Sequence, residues 1–234
     1  MKPLVHCITN YVAMNFTANA LLAVGVDPLM SFCPEEMGEL EAQSDALMVN
    51  IGCLDKQQIE AMKMAVRAAK EFGKPWVLDP VAVNMTQIRL KTCIELINIA
   101  RPSIIRGNEV EIFALCNAFG VNLNPRALAA SLGCVVVVSG KTDVITDGKH
   151  TEMITSGDPM MADVTATGCV SSALCAGFMA KGRTPFDAAV EAMTLMGDAG
   201  KKAAAECNGT GSFIPMFLDN LASSLPPTVG EGSV

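Results

Sequence analysis

This sequence of 234 residues contains few charged side chains, and that scarcity excludes several classes of protein. Charged residues make up only 18% of the chain, whereas hydrophobic residues make up 50%. A chain this apolar can bury a large core, so wholesale disorder is excluded. No apolar run reaches the roughly 18 residues of a membrane-spanning helix. The N-terminal "MKPLVHCITN" lacks the apolar region of a signal peptide. We therefore expect a soluble cytoplasmic protein with no membrane partner.

Basic stripes and metal-binding motifs are also missing. The formal net charge is -7 and no run of lysine and arginine is present, so we expect no nucleic-acid partner. There are only two histidines, His6 and His150, and none of the nine cysteines forms a C-x-x-C pair. A zinc site of the usual kind is therefore not expected. Most of the cysteines are expected to be small core residues in a reducing compartment.

The length and the regular alternation of patterns favour one domain spanning residues 1–234, because single cores grow to about 250 residues. No internal repeat and no linker divides the chain. The final stretch 223–234, "SSLPPTVGEGSV", is expected to fray.

Short apolar segments alternate with helical patterns along the chain. Strands are predicted at "LVHCI", "DPLMSF", "ALMVNIG", "PWVLDPV", "SIIRGN" and "CVVVVSG". Helices are predicted at 13–25, from Pro34 onward, at 55–73, near 86–99, near 109–118, within 163–182 and after Thr184. This alternation predicts an α/β fold with a mostly parallel sheet and helices on both faces. Asp147-Gly148 within "VITDGKHTEMI" predicts a hairpin at one edge of that sheet.

Polar residues follow several of the predicted strands: Asn10, Asp79, Arg106, Asn108 and Ser139. Ligands of open α/β sheets bind beyond the carboxyl ends of the strands, so these side chains are candidates for one site. Polar strand ends also occur by chance, and none of these residues is decisive alone.

The stretch "DVTATGC", residues 163–169, is a glycine-bearing turn that leads into a helix of small residues. Free N–H groups at a helix start attract anions, and Gly168 allows close approach of a ligand. An ordinary glycine turn before a buried helix is an equally good interpretation of the spacing. The Walker A pattern is absent.

The stretch "IRGNEVEIF" adds a cation and two acids. The planar guanidinium of Arg106 suits phosphate. Glu111 suits Mg²⁺, bound directly or through water, whereas Glu109 is explained by the favourable dipole at a helix start. An anion-binding turn, an arginine and carboxylates together indicate phosphoryl transfer.

In this order, a set of segments resembles the hydroxyethylthiazole kinases of the ribokinase-like superfamily: "PLVHCITN", "MNFTANALLAVG", "PLMSFCPEE", "WVLDPV", "IRGNEVEI", "VVVVSGKTDVITDG", "VTATGC" and "GTGSF". The resemblance covers nearly the whole chain. It implies a three-layer ribokinase-like fold and ATP- and Mg²⁺-dependent phosphorylation of the primary alcohol of 4-methyl-5-(2-hydroxyethyl)thiazole in thiamine salvage. It also implies a homotrimer with active sites at the subunit interfaces.

The resemblance also implies roles for individual residues. Met30, Asn10 and Ala166 would bind the thiazole alcohol. ATP and its phosphates would contact Arg106, Ser139, Asn108, Thr167 and Gly168, and Asp79 and Glu111 would organise Mg²⁺. Cys169 occupies the position where related sugar kinases place a catalytic aspartate. Ala166 stands where the family pattern V-T-G-[TA]-G-C has its first glycine, and "DPVAVN" replaces a more glycine-rich D-P-V-G stretch.

A start-of-helix position is expected to lower the pKa of the Cys169 thiol, with bound triphosphate opposing that shift, so that the thiol orients the alcohol and acts as a modest base. Two alternatives remain open: a kinase of another heteroaromatic primary alcohol, and a degenerate protein that binds a thiazole or a nucleotide without turnover. Retention of Asp79, Arg106, Glu111 and Cys169 favours an active enzyme.

Overall fold

A computed structural model describes residues 2–224 of the chain, which form one sheet with helices on both of its faces. The strands are β1 (Leu4–Ile8), β2 (Asp27–Met30), β3 (Ala46–Asn50), β4 (Trp76–Asp79), β5 (Ile104–Asn108), β6 (Val135–Ser139), β7 (Asp143–Thr146) and β8 (Thr151–Ile154). Their order across the sheet is β2-β1-β3-β4-β5-β6-β7-β8. The pairs from β2 through β6 are parallel, and β6-β7 and β7-β8 are antiparallel. The predicted parallel sheet and edge hairpin are both confirmed.

The helices are α1 (Met14–Ala23), α2 (Met37–Gln43), α3 (Lys56–Glu71), α4 (Gln87–Ile99), α5 (Glu109–Ala118), α6 (Pro125–Leu132), α7 (Thr167–Ala180), α8 (Pro185–Glu206) and α9 (Thr210–Ser223). Helices α1, α7, α8 and α9 share one hydrophobic core with one face of the sheet. Helices α2 to α6 share a second core with the other face. The result is the three-layer architecture predicted from the sequence.

The sequence explains this layering. All five residues of β3 are buried, as expected for a central parallel strand covered on both faces. Helix α3 is amphipathic and begins at Asp55, whose side chain accepts a hydrogen bond from the Gln58 N–H at 2.8 Å. Helix α7 is buried on nearly every side, and a side chain at Gly177 would lie 3.1 Å from Leu21 of α1. The small residues of α7 therefore allow two helices to pack closely above the sheet.

Two helices were not predicted. Helix α6 is short, although Asn124 caps its start at 3.1 Å and Gly133 ends it with a φ of 66°. Helix α9 contains Pro215, which argues against a helix in sequence terms. Burial of Phe213, Phe217 and Leu221 against the first core overrides that local preference.

Helix boundaries, the C-terminal stretch and the cysteines were also predicted from the sequence. The helix expected from Pro34 begins as a 3-10 turn, Pro34–Glu36, and continues as α2. The expected fraying of 223–234 falls mainly on 225–234, which lie outside the described residues. All nine cysteines lie within the described part and none is in a disulfide. Within residues 2–224, no helix has the length and apolar character to cross a membrane.

Candidate functional site

The carboxyl ends of β1, β3 and β4 bring polar side chains to the start of α7, where they surround Cys169. The Asn10 amide donates to Asn50 Oδ1 at 3.0 Å and to the Cys169 sulfur at 3.5 Å. The Asn50 amide donates to Asp79 Oδ2 at 2.6 Å and to the same sulfur at 3.1 Å. Asn10, Asn50, Asp79 and Cys169 thus form one hydrogen-bonded cluster, which we call the thiol cluster.

Backbone groups fix the orientation of both amides in the thiol cluster. Asn10 Oδ1 accepts the Ala13 N–H at 3.0 Å, and Asn50 Oδ1 accepts the Gly52 N–H at 2.9 Å. Each amide nitrogen therefore has both of its hydrogens directed at cluster members. A side chain at Gly52 would lie 2.6 Å from the Asn10 amide nitrogen, so the loop after β3 requires glycine there. These hydrogen bonds hold the side chains of the cluster in place.

Burial sets the protonation of the two titratable groups in the thiol cluster. Burial, aided by the neighbouring Asp79 carboxylate, raises the pKa of the Cys169 thiol to about 12. The thiol is therefore protonated at neutral pH, and the expected lowering of its pKa by the helix start is wrong because desolvation outweighs it. Burial also raises the pKa of Asp79 to about 6, against the opposing effect of the Arg106 charge. Asp79 is mostly ionised at pH 7.

Arg106 lies on β5 beside the first turn of α7. Its Nη2 donates to Ser139 Oγ at 2.7 Å, and that hydroxyl donates to the Gly107 carbonyl at 3.3 Å. A side chain at Gly168 would lie 2.6 Å from Arg106 Nη1. Glycine therefore makes room for the guanidinium against the free N–H groups of α7. A positive side chain and a positive helix end thus face the same space.

Glu111 joins two loops at this edge of the sheet. Its Oε1 accepts the Ala82 N–H at 2.7 Å, and its Oε2 accepts the Asn108 N–H at 2.9 Å. Asn108 Oδ1 in turn accepts the Glu111 N–H at 3.0 Å, which completes a capping box at the start of α5. Glu111 therefore braces the loop after β4, the strand that ends at Asp79.

Two alanines in this region adopt the left-handed backbone that favours glycine. Ala166 has a φ of 70° immediately before α7, and Ala82 has a φ of 54° in the loop after β4. Each costs about 1–2 kcal/mol relative to a residue without a Cβ atom. They are the alanines of "VTATGC" and "DPVAVN", the two stretches in which the resemblance implied glycine.

A cavity of about 720 Å³ opens beside Arg106 and extends between the β6–β7 connection, the segment after β8 and α8. Arg106, Ser139, Thr167 and Gly168 line one end of this cavity, which we call the nucleotide-side cavity. Met161, Met193 and Met196 line it elsewhere. A positively charged end, together with the apolar surface that the methionines offer in an otherwise mixed lining, suits a ligand with phosphates at one end and an aromatic ring at the other.

Comparisons with known proteins agree with this geometry. A model of the hydroxyethylthiazole kinase family matches residues 1–226. A hydroxyethylthiazole kinase of Pectobacterium atrosepticum is 43% identical over 232 residues, which cover 94% of this chain and 88% of that protein.

The chain belongs to the hydroxyethylthiazole kinase family.

Solved structures agree with this assignment. The hydroxyethylthiazole kinase protein of Pyrococcus horikoshii is 37% identical, superposes with a TM-score of 0.91, and is matched over 95% of this chain and 88% of that one. A ribokinase-like superfamily protein of Enterococcus faecalis superposes with a TM-score of 0.69 at 15% identity, over 94% of this chain and 88% of that one. At that low identity the likeness concerns the fold alone, which is ribokinase-like as predicted.

The structure of this family member brings together most of the residues singled out in the sequence. Asn10, Asp79 and Cys169 are in the thiol cluster, whereas Arg106, Ser139, Thr167 and Gly168 line the nucleotide-side cavity. The Thr167 hydroxyl donates to the Met161 carbonyl at 3.0 Å, so its side chain holds the turn. Met30 ends the edge strand β2, in register with Cys7, outside that cavity. The ligand roles of these residues remain predictions.

Sequence reasoning missed three residues of the candidate site. Asn50 is central to the thiol cluster, and its signal was present, because it ends the buried strand β3 as Asp79 ends β4. Lys141 and Asp143 line the nucleotide-side cavity. Asp143 Oδ1 accepts the Gly140 N–H at 2.9 Å, and burial raises the pKa of that carboxyl. Lys141 lies in the β6–β7 connection and Asp143 begins β7, and the sequence analysis covered both only within the motif "VVVVSGKTDVITDG".

The residues fit Mg²⁺ held mainly by phosphates and water. Asp79 Oδ1 is buried and accepts no hydrogen bond from the described residues, so one carboxylate oxygen is available. Both oxygens of Glu111 already accept backbone N–H groups. No cluster of three or more His, Cys, Asp or Glu side chains within 2–224 could hold a metal. Mg²⁺ commonly keeps several waters and takes one or two carboxylates beside substrate phosphates, and this site suits that mode.

Proposed function

We propose that this protein transfers the γ-phosphoryl group of ATP to the primary hydroxyl of 4-methyl-5-(2-hydroxyethyl)thiazole. The alcohol oxygen forms a bond to the γ-phosphorus, the bond from that phosphorus to the β–γ bridging oxygen breaks, and ADP leaves. The alcohol proton is released. The observation that carries this proposal is the position of Cys169, at the start of α7 between the Asn10 amide and the Arg106 end of the nucleotide-side cavity.

The phosphate end of this proposal rests on charge and geometry. ATP phosphates placed against the first turn of α7 would meet free N–H groups, the Arg106 guanidinium and the Ser139 hydroxyl that orients it. Phosphoryl transfer depends mainly on positioning and on stabilising the charge of the three equatorial oxygens. Asn108 and Glu111 contribute indirectly in the free protein, because their side chains brace the loops around this space.

Asp79, and Glu111 through water, are the groups that would hold Mg²⁺ against the phosphates. The ion supplies neutralisation of phosphate charge when it is bound. Asn50 already donates to Asp79 Oδ2, so Oδ1 is the oxygen that the ion would use. Asn50 thereby couples the position of the carboxylate to that of the Cys169 sulfur.

At the acceptor end, Cys169 is a neutral thiol that orients the alcohol. Its sulfur accepts hydrogen bonds from two asparagine amides, which leaves its S–H free to bond the incoming oxygen. The pKa of about 12 makes a thiolate base rare at neutral pH. A loose transition state needs little proton removal before the phosphorus is attacked, so a neutral orienting group is sufficient. Met30 and Ala166 are the proposed neighbours of the thiazole ring.

The same proposal includes a homotrimer in which a neighbouring subunit completes each alcohol pocket. It also includes a role in cytoplasmic thiamine salvage. Tyr11 and Val12 follow Asn10 directly and expose 60% and 64% of their surface. Met85 is exposed to 69% in the loop after β4. These apolar residues near the site suit contact with another subunit. Light scattering should report about three chain masses, and a stable active monomer would contradict the shared pocket.

The experiment that tests the reaction is a Mg-ATP assay with the thiazole alcohol and a panel of other primary alcohols, including pyridine alcohols. Thiazole monophosphate and ADP should appear in equal amounts, and the rate of ADP formation without acceptor should be far lower. Product from a different heteroaromatic alcohol alone would replace the proposed substrate. Binding of ATP and thiazole without product would show a degenerate protein.

A further inference from the structure

A fully buried histidine–glutamate pair lies beneath the connection between β2 and α2, apart from the thiol cluster. His6 on β1 and Glu41 on α2 both have no exposed side-chain surface, and His6 Nδ1 lies 2.6 Å from Glu41 Oε1. His6 Nε2 lies 3.0 Å from the Ser31 carbonyl oxygen. The histidine therefore connects three elements: β1, α2 and the residue that follows β2.

Stability does not account for this pair. Burying two such polar groups carries a desolvation penalty, and a well-packed apolar pair of similar volume is often at least as stable. The second oxygen, Glu41 Oε2, is buried and has no hydrogen-bond partner among the described residues. A directed hydrogen bond from His6 to the Ser31 backbone carbonyl is a contribution that an apolar pair could not make.

The Ser31 carbonyl, which accepts the hydrogen bond from His6, lies just beyond the last residue of β2 that pairs with β1. Strand β2 is the edge of the sheet, and its parallel ladder with β1 ends at the Cys7–Met30 pair. Ser31 is the next residue, with no strand on the outer side to bind it. The bond from His6 Nε2–H to the Ser31 carbonyl extends the attachment of this edge by one residue through a side chain. The segment Ser31–Glu36 is thereby anchored at its start.

The two residues that flank Ser31 are both close to the proposed acceptor pocket. Met30 precedes Ser31 and is the proposed thiazole contact. The Phe32 ring follows it and meets the Tyr11 ring edge-on, with centroids 5.5 Å apart. Tyr11 directly follows Asn10 of the thiol cluster. A shift of the Ser31 carbonyl would therefore move Met30 and Phe32 together, and Phe32 touches the loop that carries Asn10.

We propose that His6, held in orientation by Glu41, is a positioning residue for the acceptor-binding wall formed by Met30 and Phe32. The proposal rests on the proposed function, because it takes Met30 as a neighbour of the alcohol. His6 acts on acceptor binding through the Ser31 carbonyl. Its hydrogen bonds go to Glu41 and Ser31, and it does not line the cavity beside Arg106, so its effect falls on the KM of the alcohol rather than on the KM of ATP.

Two substitutions of His6 separate its two hydrogen bonds. In His6→Gln the amide nitrogen reaches the place of Nε2 and keeps the bond to the Ser31 carbonyl, whereas in His6→Asn it reaches the place of Nδ1 and keeps only the bond to Glu41. His6→Asn should raise the KM of the thiazole alcohol about tenfold, the effect expected when one buried hydrogen bond is lost. Its kcat and its KM for ATP should stay within about twofold of wild type. His6→Gln should keep an alcohol KM close to wild type.

Leu47→Ala is the matched control for loss of stability alone. Leu47 is the register partner of His6 on β3 and belongs to the hydrophobic core that the sheet shares with α2. Its truncation destabilises the core without touching Ser31, so the alcohol KM of the folded fraction should not change. If His6→Asn is folded and its alcohol KM equals that of wild type, or if its KM for ATP rises equally, the proposal is wrong.

If the His6 variants do not fold, NMR of the wild-type protein tests whether His6 responds to binding of the alcohol. The sequence has only two histidines, His6 and the exposed His150, so spectra of ¹⁵N-histidine-labelled protein can be assigned readily. The His6 Nε2–H should give a slowly exchanging signal that moves when the thiazole alcohol saturates the protein and stays in place when a non-hydrolysable ATP analogue binds alone. An unmoved signal with saturating alcohol would overturn the proposal. Failure of the wild type to phosphorylate the alcohol would instead reject the proposed function.

Discussion

Replacing Asp79 by asparagine should make the metal-free protein more stable at high pH and remove most of its activity. The carboxyl group is only 1% exposed, and its Oδ1 accepts no hydrogen bond from the described residues. The buried carboxylate is therefore poorly compensated when it is charged. Asparagine is nearly isosteric, keeps an acceptor for the Asn50 amide, and carries no charge.

The magnitude follows from the pKa of Asp79, which burial raises from an ordinary 3.8 to about 6. Because the folded-state pKa lies above the unfolded one, the folded protein binds more protons between these values, and its stability falls as pH rises through them. At 1.36 kcal/mol for each pH unit, the complete loss is about 3 kcal/mol. About 1.4 kcal/mol of that loss falls between pH 5 and pH 8. Asp79→Asn does not undergo this loss.

The assay is urea unfolding of wild type and Asp79→Asn in EDTA at several values between pH 5 and pH 8. The stability difference between the two proteins should shift in favour of the variant by about 1–2 kcal/mol as pH rises. A constant offset is expected from the new amide hydrogens, but it does not depend on pH. Glu152→Gln, which removes an exposed carboxylate on β8, is the control and should track wild type. A pH-independent difference for Asp79→Asn would refute the reasoning.

Three further substitutions test the site. Cys169→Ala should lower kcat by about 10²-fold or less, and Cys169→Asp should remain active, because the side chain at this position orients the alcohol. If kcat of the wild type instead rises tenfold per pH unit between pH 7 and pH 9, Cys169 acts as a thiolate base. Arg106→Ala should cost roughly 2–4 kcal/mol in kcat/KM, and near-full activity in a folded variant would show that ATP is placed wrongly. Ala166→Gly should raise the free energy of unfolding by up to about 1 kcal/mol, because relief of the strain at a φ of 70° is partly offset by the greater freedom of glycine in the unfolded chain. The same change should lower the alcohol KM, and an unchanged urea midpoint would show that the alanine is not strained.

The strands of the parallel sheet could be predicted because their signal is local. Each is a short apolar run that must be covered on both faces, and β3, with all five residues buried, shows why such a run reads as a strand. The polar residue at the end of each run then marks the carboxyl edge of the sheet, which is how Asn10, Asp79 and Arg106 were found. The ordered family motifs added their proposed roles.

Helices α6 and α9 show where local reasoning fails. Helix α6 had caps at both ends, but its eight residues are too few for a clear periodic pattern. Helix α9 carries an interior proline, and it buries Phe213 and Phe217 in the core that it shares with α1 and α8. Its stability comes from packing against residues distant in the sequence, which propensity does not report.

The chemistry of the site depended on tertiary structure. Asn50 joins Asp79 and Cys169 across 29 and 119 residues of sequence, and His6 meets Glu41 across 35. The sequence placed a thiol at a helix start and favoured a lowered pKa, whereas burial in the folded protein raises that pKa to about 12. Apolar periodicity is a local property of the sequence, and it determined the sheet and the two helical layers of this protein. Desolvation and hydrogen bonding between distant strands exist only after the chain has folded, so only the tertiary structure decided which groups are charged, which are paired, and which remain free to meet a ligand.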